Sequence, residues 1–279
     1  MRHEKHQFLQ SFPFTSSHLR STIHFTNPPT PGMTEALQGL INQGRQTRRV
    51  SAALPASDAA LFVKTQPLND FKARCRVTWG YPKSDGMFDW PVEELINSFE
   101  AWQRGAPVPS LLGFGYRKTR LGITEEFFII SQLLEDHIDA MDWLQEQPDR
   151  IESLIRSAFA LMLSLHQKRI THMDLWAANI MLSKADTTQA KAIDLENCFF
   201  EGSRYPSETL GFQFGFFYYR QIYRFITESC YDALVYEALE SFPALDQEKF
   251  AEFYTACKHE KIGRKERREI FLRGKLIIG

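Results

Sequence analysis

A chain of 279 residues can bury one large core or two modest ones. Its 33 basic residues stand against 34 acidic ones, so no global charge recruits nucleic acid, and none is expected as a partner. No apolar run approaches the roughly 20 residues that a membrane span needs, and no apolar segment near the N-terminus reads as a secretory leader. The four cysteines are scattered without a C-x-x-C pair, which points to reduced thiols and away from a zinc site or a disulfide framework.

In chain order, residues 1–33 read as an irregular lead-in that holds His3, His6, His18 and His24 and ends in a Pro-rich stretch; the histidine spacings fit no compact ligand set. Val50–Leu54 and Ala60–Thr65 are short strand candidates around a turn at 55–58. Residues 66–90 read as a long polar connection containing Gly80, Pro82 and Gly86. Asp89 and Pro91 then start a helix, Gly105 stops it, and Val92, Leu95, Ile96, Phe99 and Trp102 share its apolar face. Leu111–Phe114 and Glu126–Gln132 look like a strand pair, the second nearly all apolar and therefore buried. Ile151, Leu154, Ile155, Ala158, Phe159, Met162 and Leu165 recur at helical spacing, so 149–168 is a core helix. Strand, loop and strand follow through 169–199, and 209–275 is mainly helical. The division is 1–33 lead-in, 34–134 strand-rich and 135–279 helix-rich, an α+β chain.

The chemistry concentrates in His172–Met173–Asp174, with Asn179 five residues after Asp174, and in Asp194 at the end of a short apolar strand. Phosphoryl transfer needs a carboxylate beside the attacking hydroxyl and oxygen ligands for the ions that hold the nucleotide phosphates. Asp174 can supply the first, and Asn179 and Asp194 the second. They share one surface only if Ile180–Leu182 and Ala192–Ile193 pair as neighbouring strands.

The loop from His166 to Leu182 resembles the catalytic loop of the protein-kinase superfamily, His-x-Asp with Asn five positions after the Asp. The resemblance implies a bilobal protein-kinase-like fold, with an antiparallel-sheet N-lobe and a mainly helical C-lobe. It implies ATP and Mg²⁺ as cofactors, Asp174 as base, and Asn179 and Asp194 as metal ligands. It implies Lys64, after Leu61–Val63, on the α- and β-phosphates. Of Glu93, Glu94 and Glu100, Glu94 is the preferred partner of Lys64. Glu94 with Asn97, followed by Gly105-x-Pro107-x-Pro109, resembles the helix region of bacterial lipopolysaccharide core kinases, the Kdo and heptose kinases. In that likeness Ser131–Gln132–Leu133–Leu134 is the segment that meets adenine through backbone groups, so Gln132 and Leu134 join Lys64 and Gly44 as nucleotide-binding candidates.

The expected activity is ATP-dependent phosphorylation of a hydroxyl on a lipopolysaccharide core sugar, by a cytoplasmic protein with peripheral contact at the inner membrane. Aminoglycoside and choline phosphotransferases share the loop, and a catalytically weak pseudokinase scaffold is the other alternative. Three departures matter. Gly44 is the lone glycine of 40–50, where a glycine-rich loop belongs. No Ala-Pro-Glu segment follows Asp194, which argues against a regulated protein kinase. Trp176 replaces the lysine or histidine usual two residues after the Asp; a cationic partner there is missing unless the C-terminal part supplies one. The basic stretch from Lys258 to Lys275 reads as a solvated helix, or as a contact for anionic lipid or glycolipid. The aromatics from Phe212 to Phe225 read mostly as core, some lining an acceptor site.

Overall fold

A computed structural model describes residues 8–55, 58–84, 86–242 and 245–277. The chain forms two compact units, one of Met1–Trp102 with Pro109–Glu135 and one of Gln103–Val108 with Asp136–Gly279.

The first unit is built on a six-stranded antiparallel sheet of β1 (Phe14–His18), β2 (Ser21–Phe25), β3 (Val50–Pro55), β4 (Ala60–Pro67), β5 (Leu111–Lys118) and β6 (Thr124–Gln132), in the order β1-β2-β5-β6-β4-β3. β6 lies inside the sheet, so Phe127, Phe128, Ile129 and Ile130 bury side chains on both faces. On one face Ile23, Phe25, Leu61, Val63, Phe128 and Ile130 pack against α1 (Pro31–Asn42) through Met33, Leu37, Leu40 and Ile41. On the other, Phe114, Phe127 and Ile129 meet Leu95 and Phe99 of α3 (Trp90–Gln103). Trp102, expected on the apolar face of α3, is partly exposed.

Two expectations fail here. The described part of the lead-in, expected to be irregular, is the β1–β2 hairpin followed by α1, which Thr30 caps and Pro31 opens. β2 alternates buried Ser21, Ile23 and Phe25 with more exposed neighbours and joins β5. His18 bonds Asn42 at 2.7 Å and His24 stacks on Phe114; His3 and His6 lie outside the described residues, as do residues 56–57 of the expected 55–58 turn. The polar connection over 66–90 contains a helix, α2 (Phe71–Trp79), capped by Asp70 and ended by Gly80 in the left-handed region. None of its residues is buried, so no apolar stripe announces it; its caps do.

The second unit is mainly helical. β7 (His137–Asp139) leads into α4 (Ala140–Glu146), α5 (Ile151–Gln167) and the short strands β8 (Thr171–His172), β9 (Ile180–Ser183), β10 (Ala190–Ala192) and β11 (Cys198–Phe199). Then come α6 (Pro206–Tyr219), α7 (Glu228–Leu239), α8 (Gln247–His259) and α9 (Arg264–Arg273). Segment 103–108 belongs to this unit: Ala192 N–H donates to Pro107 O at 2.8 Å, and Arg104 Nη1 to Lys168 and Arg169 O at 3.1 and 3.0 Å. α6 is buried nearly all round, and Phe212, Phe214, Phe216 and Phe217 are core, as its aromatic run predicts. Gly211 and Gly215 let α8 approach closely. A Cβ at either would meet a backbone oxygen of α8, at 2.5 Å from Phe250 O or 2.6 Å from Tyr254 O.

Candidate active site

In the first unit Lys64 lies on β4, opposite Ile129 of β6 and Ser51 of β3. Strand alternation turns it to the side where α3 packs, and its Nζ ion-pairs with Glu94 Oε1. Glu94 is 3 % exposed, and Arg49 Nη2 is 3.7 Å from its second oxygen. Arg49 also stands over the Trp90 ring at 4.9 Å. Of the three glutamates weighed for this position, Glu94 is the one that meets Lys64; Glu93 accepts the Phe88 N–H at 3.1 Å.

Gly44 follows α1 with φ +86°, and its N–H donates to Ile41 O at 3.1 Å. The next residues are fastened from below. Glu126 is fully buried on β6, accepts the Gln46 N–H at 2.8 Å and pairs with Arg117 Nε at 3.0 Å. Burial pushes the Glu126 carboxyl up from its ordinary value, against the pull of that N–H and of Arg117. Arg45 donates to Asn69 Oδ1 at 3.0 Å. Gln132 and Leu134 stand at the end of β6, where Gln132 N–H bonds Ser110 O at 2.9 Å and Leu133 N–H bonds Ala60 O at 3.0 Å.

In the second unit β9 and β10 pair antiparallel, with Ile180 opposite Ala192 and Leu182 opposite Ala190, which is the pairing the loop requires. The connection from β8 to β9 carries His172, Asp174 and Asn179. His172 is 1 % exposed. Its Nδ1 accepts the Asp174 N–H at 3.2 Å, so its proton sits on Nε2, which donates to Ile193 O at 3.1 Å. Burial lowers its pKa and keeps the ring neutral in that tautomer. Asn179 Nδ2 donates back to Asp174 O at 2.8 Å, which leaves its amide oxygen outside that bond. The loop is thus tied at both ends, on its own strands and on itself. Asp194, two residues after the end of β10, has φ 60° and ψ 60°, a left-handed conformation that aspartate tolerates better than most residues and that re-aims the chain into a short turn. A carboxylate at Asp194 and an amide oxygen at Asn179 are the hard oxygen donors that Mg²⁺ accepts.

Asp174 is not alone. Arg267, on α9, donates from Nη1 to Asp174 Oδ1 at 2.6 Å, and their side chains are 9 % and 12 % exposed. Arg267 Nε holds Ile262 O at 3.1 Å, and its guanidinium stands 4.2 Å over the Phe216 ring. Burial lowers its pKa and Asp174 opposes that shift. Asp174 Oδ2 takes part in no hydrogen bond among the described residues. Beside it Arg264 Nη2 pairs with Glu196 Oε1 at 2.7 Å. The basic stretch is therefore no uniformly solvated face. Arg267 reaches into the loop, and Lys258 is buried on Glu228 and Asp232 at 2.6 and 2.7 Å.

Sequence reasoning missed Arg267 and also Gln213. Gln213 Nε2 donates to His172 O at 3.1 Å while its Oε1 meets His166 Nε2 at 2.9 Å, so one side chain of α6 ties α5 to the loop. The signal for Gln213 was a polar residue inside an aromatic helix face. Arg267 had no local signal, because its partner is 93 residues away.

Residues 43–203 match the model of the Lipopolysaccharide kinase (Kdo/WaaP) family. The chain belongs to that family. The match includes Gly44, Lys64, Glu94, Gln132, Leu134, Asp174, Asn179 and Asp194, and stops short of Gln213 and Arg267. Among curated relatives, a 3-deoxy-D-manno-octulosonic acid kinase of Haemophilus influenzae strain 86-028NP is 33 % identical over 128 residues. One of strain PittEE is 29 % identical over 128 residues. Each alignment covers 43 % of this chain and 52 % of the relative, so the chain spans about half the length of the curated relatives it matches. A solved WaaP in complex with acyl carrier protein aligns at a TM-score of 0.36 and 14 % identity, over 71 % of this chain and 87 % of that one. An Stt7 homolog from Micromonas algae soaked with ATP aligns at 0.38 and 11 %, over 67 % and 49 %.

Proposed function

We propose that this member of the lipopolysaccharide kinase family transfers the γ-phosphoryl group of ATP to a hydroxyl of a lipopolysaccharide core sugar, with a 3-deoxy-D-manno-octulosonic acid unit as the acceptor. One observation carries the reading: a buried Asp174 with one carboxylate oxygen fixed by Arg267 and the other uncommitted, on a loop locked by His172 and Asn179. The acceptor hydroxyl donates to Asp174 Oδ2. Its oxygen forms the new bond to the γ-phosphorus as the bond to the β-bridging oxygen breaks, ADP leaves, and the hydroxyl proton passes to Asp174. Lys64, held straight by Glu94, meets the α- and β-phosphates. Gly44 with the backbone around it covers them, and Gln132 and Leu134 offer backbone groups to adenine. Asn179 and Asp194 would hold Mg²⁺, which when bound would supply neutralisation of negative charge on the phosphates. Most of the gain comes from positioning and fixed charge.

The scaffold alternative drew its force from Trp176. Arg267 weakens it, because a cation now stands beside Asp174 despite Trp176. Use of ATP sets the reaction on the cytoplasmic side, with the protein peripheral at the inner membrane; among the described residues no helix is long and apolar enough to cross a membrane. Mass spectrometry of lipopolysaccharide from cells with and without the gene tests the reading. Loss of one phosphate per core on deletion is expected, and an unchanged phosphate content refutes it.

A further inference from the structure

Three arginines gather near the loop in the second unit, and two have carboxylate partners: Arg267 on Asp174 and Arg264 on Glu196. The third, Arg220, follows the last residue of α6. Its guanidinium carbon stands 4.0 Å from the centroid of the Trp176 ring and 5.6 Å from that of Phe216. Among the described residues it makes no ion pair. A guanidinium held over a ring spends no hydrogen bond on it, and its planar fork of N–H donors can still meet a carboxylate or phosphate. The next residue, Gln221, has φ 77°, a strained conformation for a side chain with a Cβ. The chain thus adopts an uncommon turn where it presents Arg220. Trp176, which stands where the protein-kinase-like loop usually carries a lysine or histidine, is the platform.

We propose that Arg220, held over Trp176, is an anion-receiving subsite that grips the carboxylate of an acidic acceptor sugar. This rests on the reading of the chain as a kinase of lipopolysaccharide core. Trp176 is two residues from Asp174, which meets the attacking hydroxyl, so an anion held there belongs to the molecule that carries the hydroxyl. An octulosonic acid is ionised at neutral pH and carries a planar carboxylate that matches the fork. Arg267 and Arg264, already neutralised by Asp174 and Glu196, do not compete for it. The ring contact fixes the guanidinium before the sugar arrives, which lowers the ordering cost of binding.

The test uses the full chain and two probes, 3-deoxy-D-manno-octulosonic acid and its methyl ester. Binding is followed by NMR, and phosphoryl transfer is measured to a glycolipid ending in the same acid or ester. The wild type is expected to favour the acid by about 10- to 100-fold, the span of one charge-assisted bidentate contact. In R220M that ratio falls to about 3-fold or less, R220K lies between, and W176L loses part of the preference; KM for ATP changes little. Circular dichroism confirms that each variant is folded. Acid-selective binding that R220M abolishes, without transfer, upholds the subsite and rejects the kinase reading. Transfer with no acid preference, or an acid preference that survives in R220M, upholds the kinase and overturns the subsite. A rise confined to KM for ATP also overturns it, by assigning Arg220 to the nucleotide. Neither binding nor transfer overturns both.

Discussion

Two ion pairs of the proposed site, one in each unit, are built differently. Lys64 comes from β4 within the sheet and Glu94 from α3, which packs on that sheet's face, so the pair is a by-product of local architecture. Asp174 and Arg267 come from a loop and from a helix 93 residues further on. The first pair joins a flexible stem to a carboxylate inside a sheet–helix layer. The second clamps one oxygen of a carboxylate with a rigid fork and leaves the other open. Under the proposed function, the first pair positions the nucleotide and the second orients the hydroxyl.

The predictions set the two pairs against each other. The largest effect belongs to Asp174. D174N lowers kcat by about 10³-fold or more while keeping the shape of the loop. D174A costs the same activity and also about 3 kcal/mol of stability, because it strands a buried guanidinium; equal denaturation midpoints for D174A and wild type would contradict the buried pair. K64M and E94Q each lower kcat/KM by about 10²-fold, chiefly through the nucleotide. R267M lowers kcat by about 10- to 100-fold with less change in KM for ATP, and R267K recovers part of it. If R267M instead raised KM for ATP as K64M does, the two pairs would not have separate tasks.

Smaller effects are structural. G215A forces α6 away from α8 and costs about 1–3 kcal/mol, read by denaturant unfolding. His166 and His172 both have lowered pKa values through burial. The unfolded chain therefore binds more protons than the folded one below the ordinary histidine value of 6.5. Their contribution is complete above that pH and is lost as pH falls through the lowered values. Tm should drop on acidification from pH 7 towards 5, and H166Q should flatten that slope.

What the sequence made legible follows from where the information lies. Asp174, Asn179 and Asp194 sit within one short stretch with apolar strands on either side, so their spacing and the resemblance to the protein-kinase loop singled them out, and the strand pairing that their meeting requires is the β9–β10 ladder. Lys64 and Glu94 needed the resemblance to narrow the choice among three glutamates. The β1–β2 hairpin was missed: Ile23 and Phe25 give β2 only a short alternation, and the polar Thr15, Ser16 and Ser17 of β1 give none. α2 was hidden by its lack of any buried residue. Arg267 and Arg220 were illegible because their partners are distant in sequence, and a basic helix reads as solvated until its contacts are known. For the same reason, a truncation of residues 258–279 meant to test lipid contact would delete Arg267 as well as surface charge.

The most direct test is transfer of labelled γ-phosphate from ATP with Mg²⁺ to a lipopolysaccharide core acceptor ending in 3-deoxy-D-manno-octulosonic acid, comparing the wild type with folded D174N. Labelled acceptor with the wild type and essentially none with D174N is the predicted result. Equal labelling by both proteins, or none by either, would contradict the account.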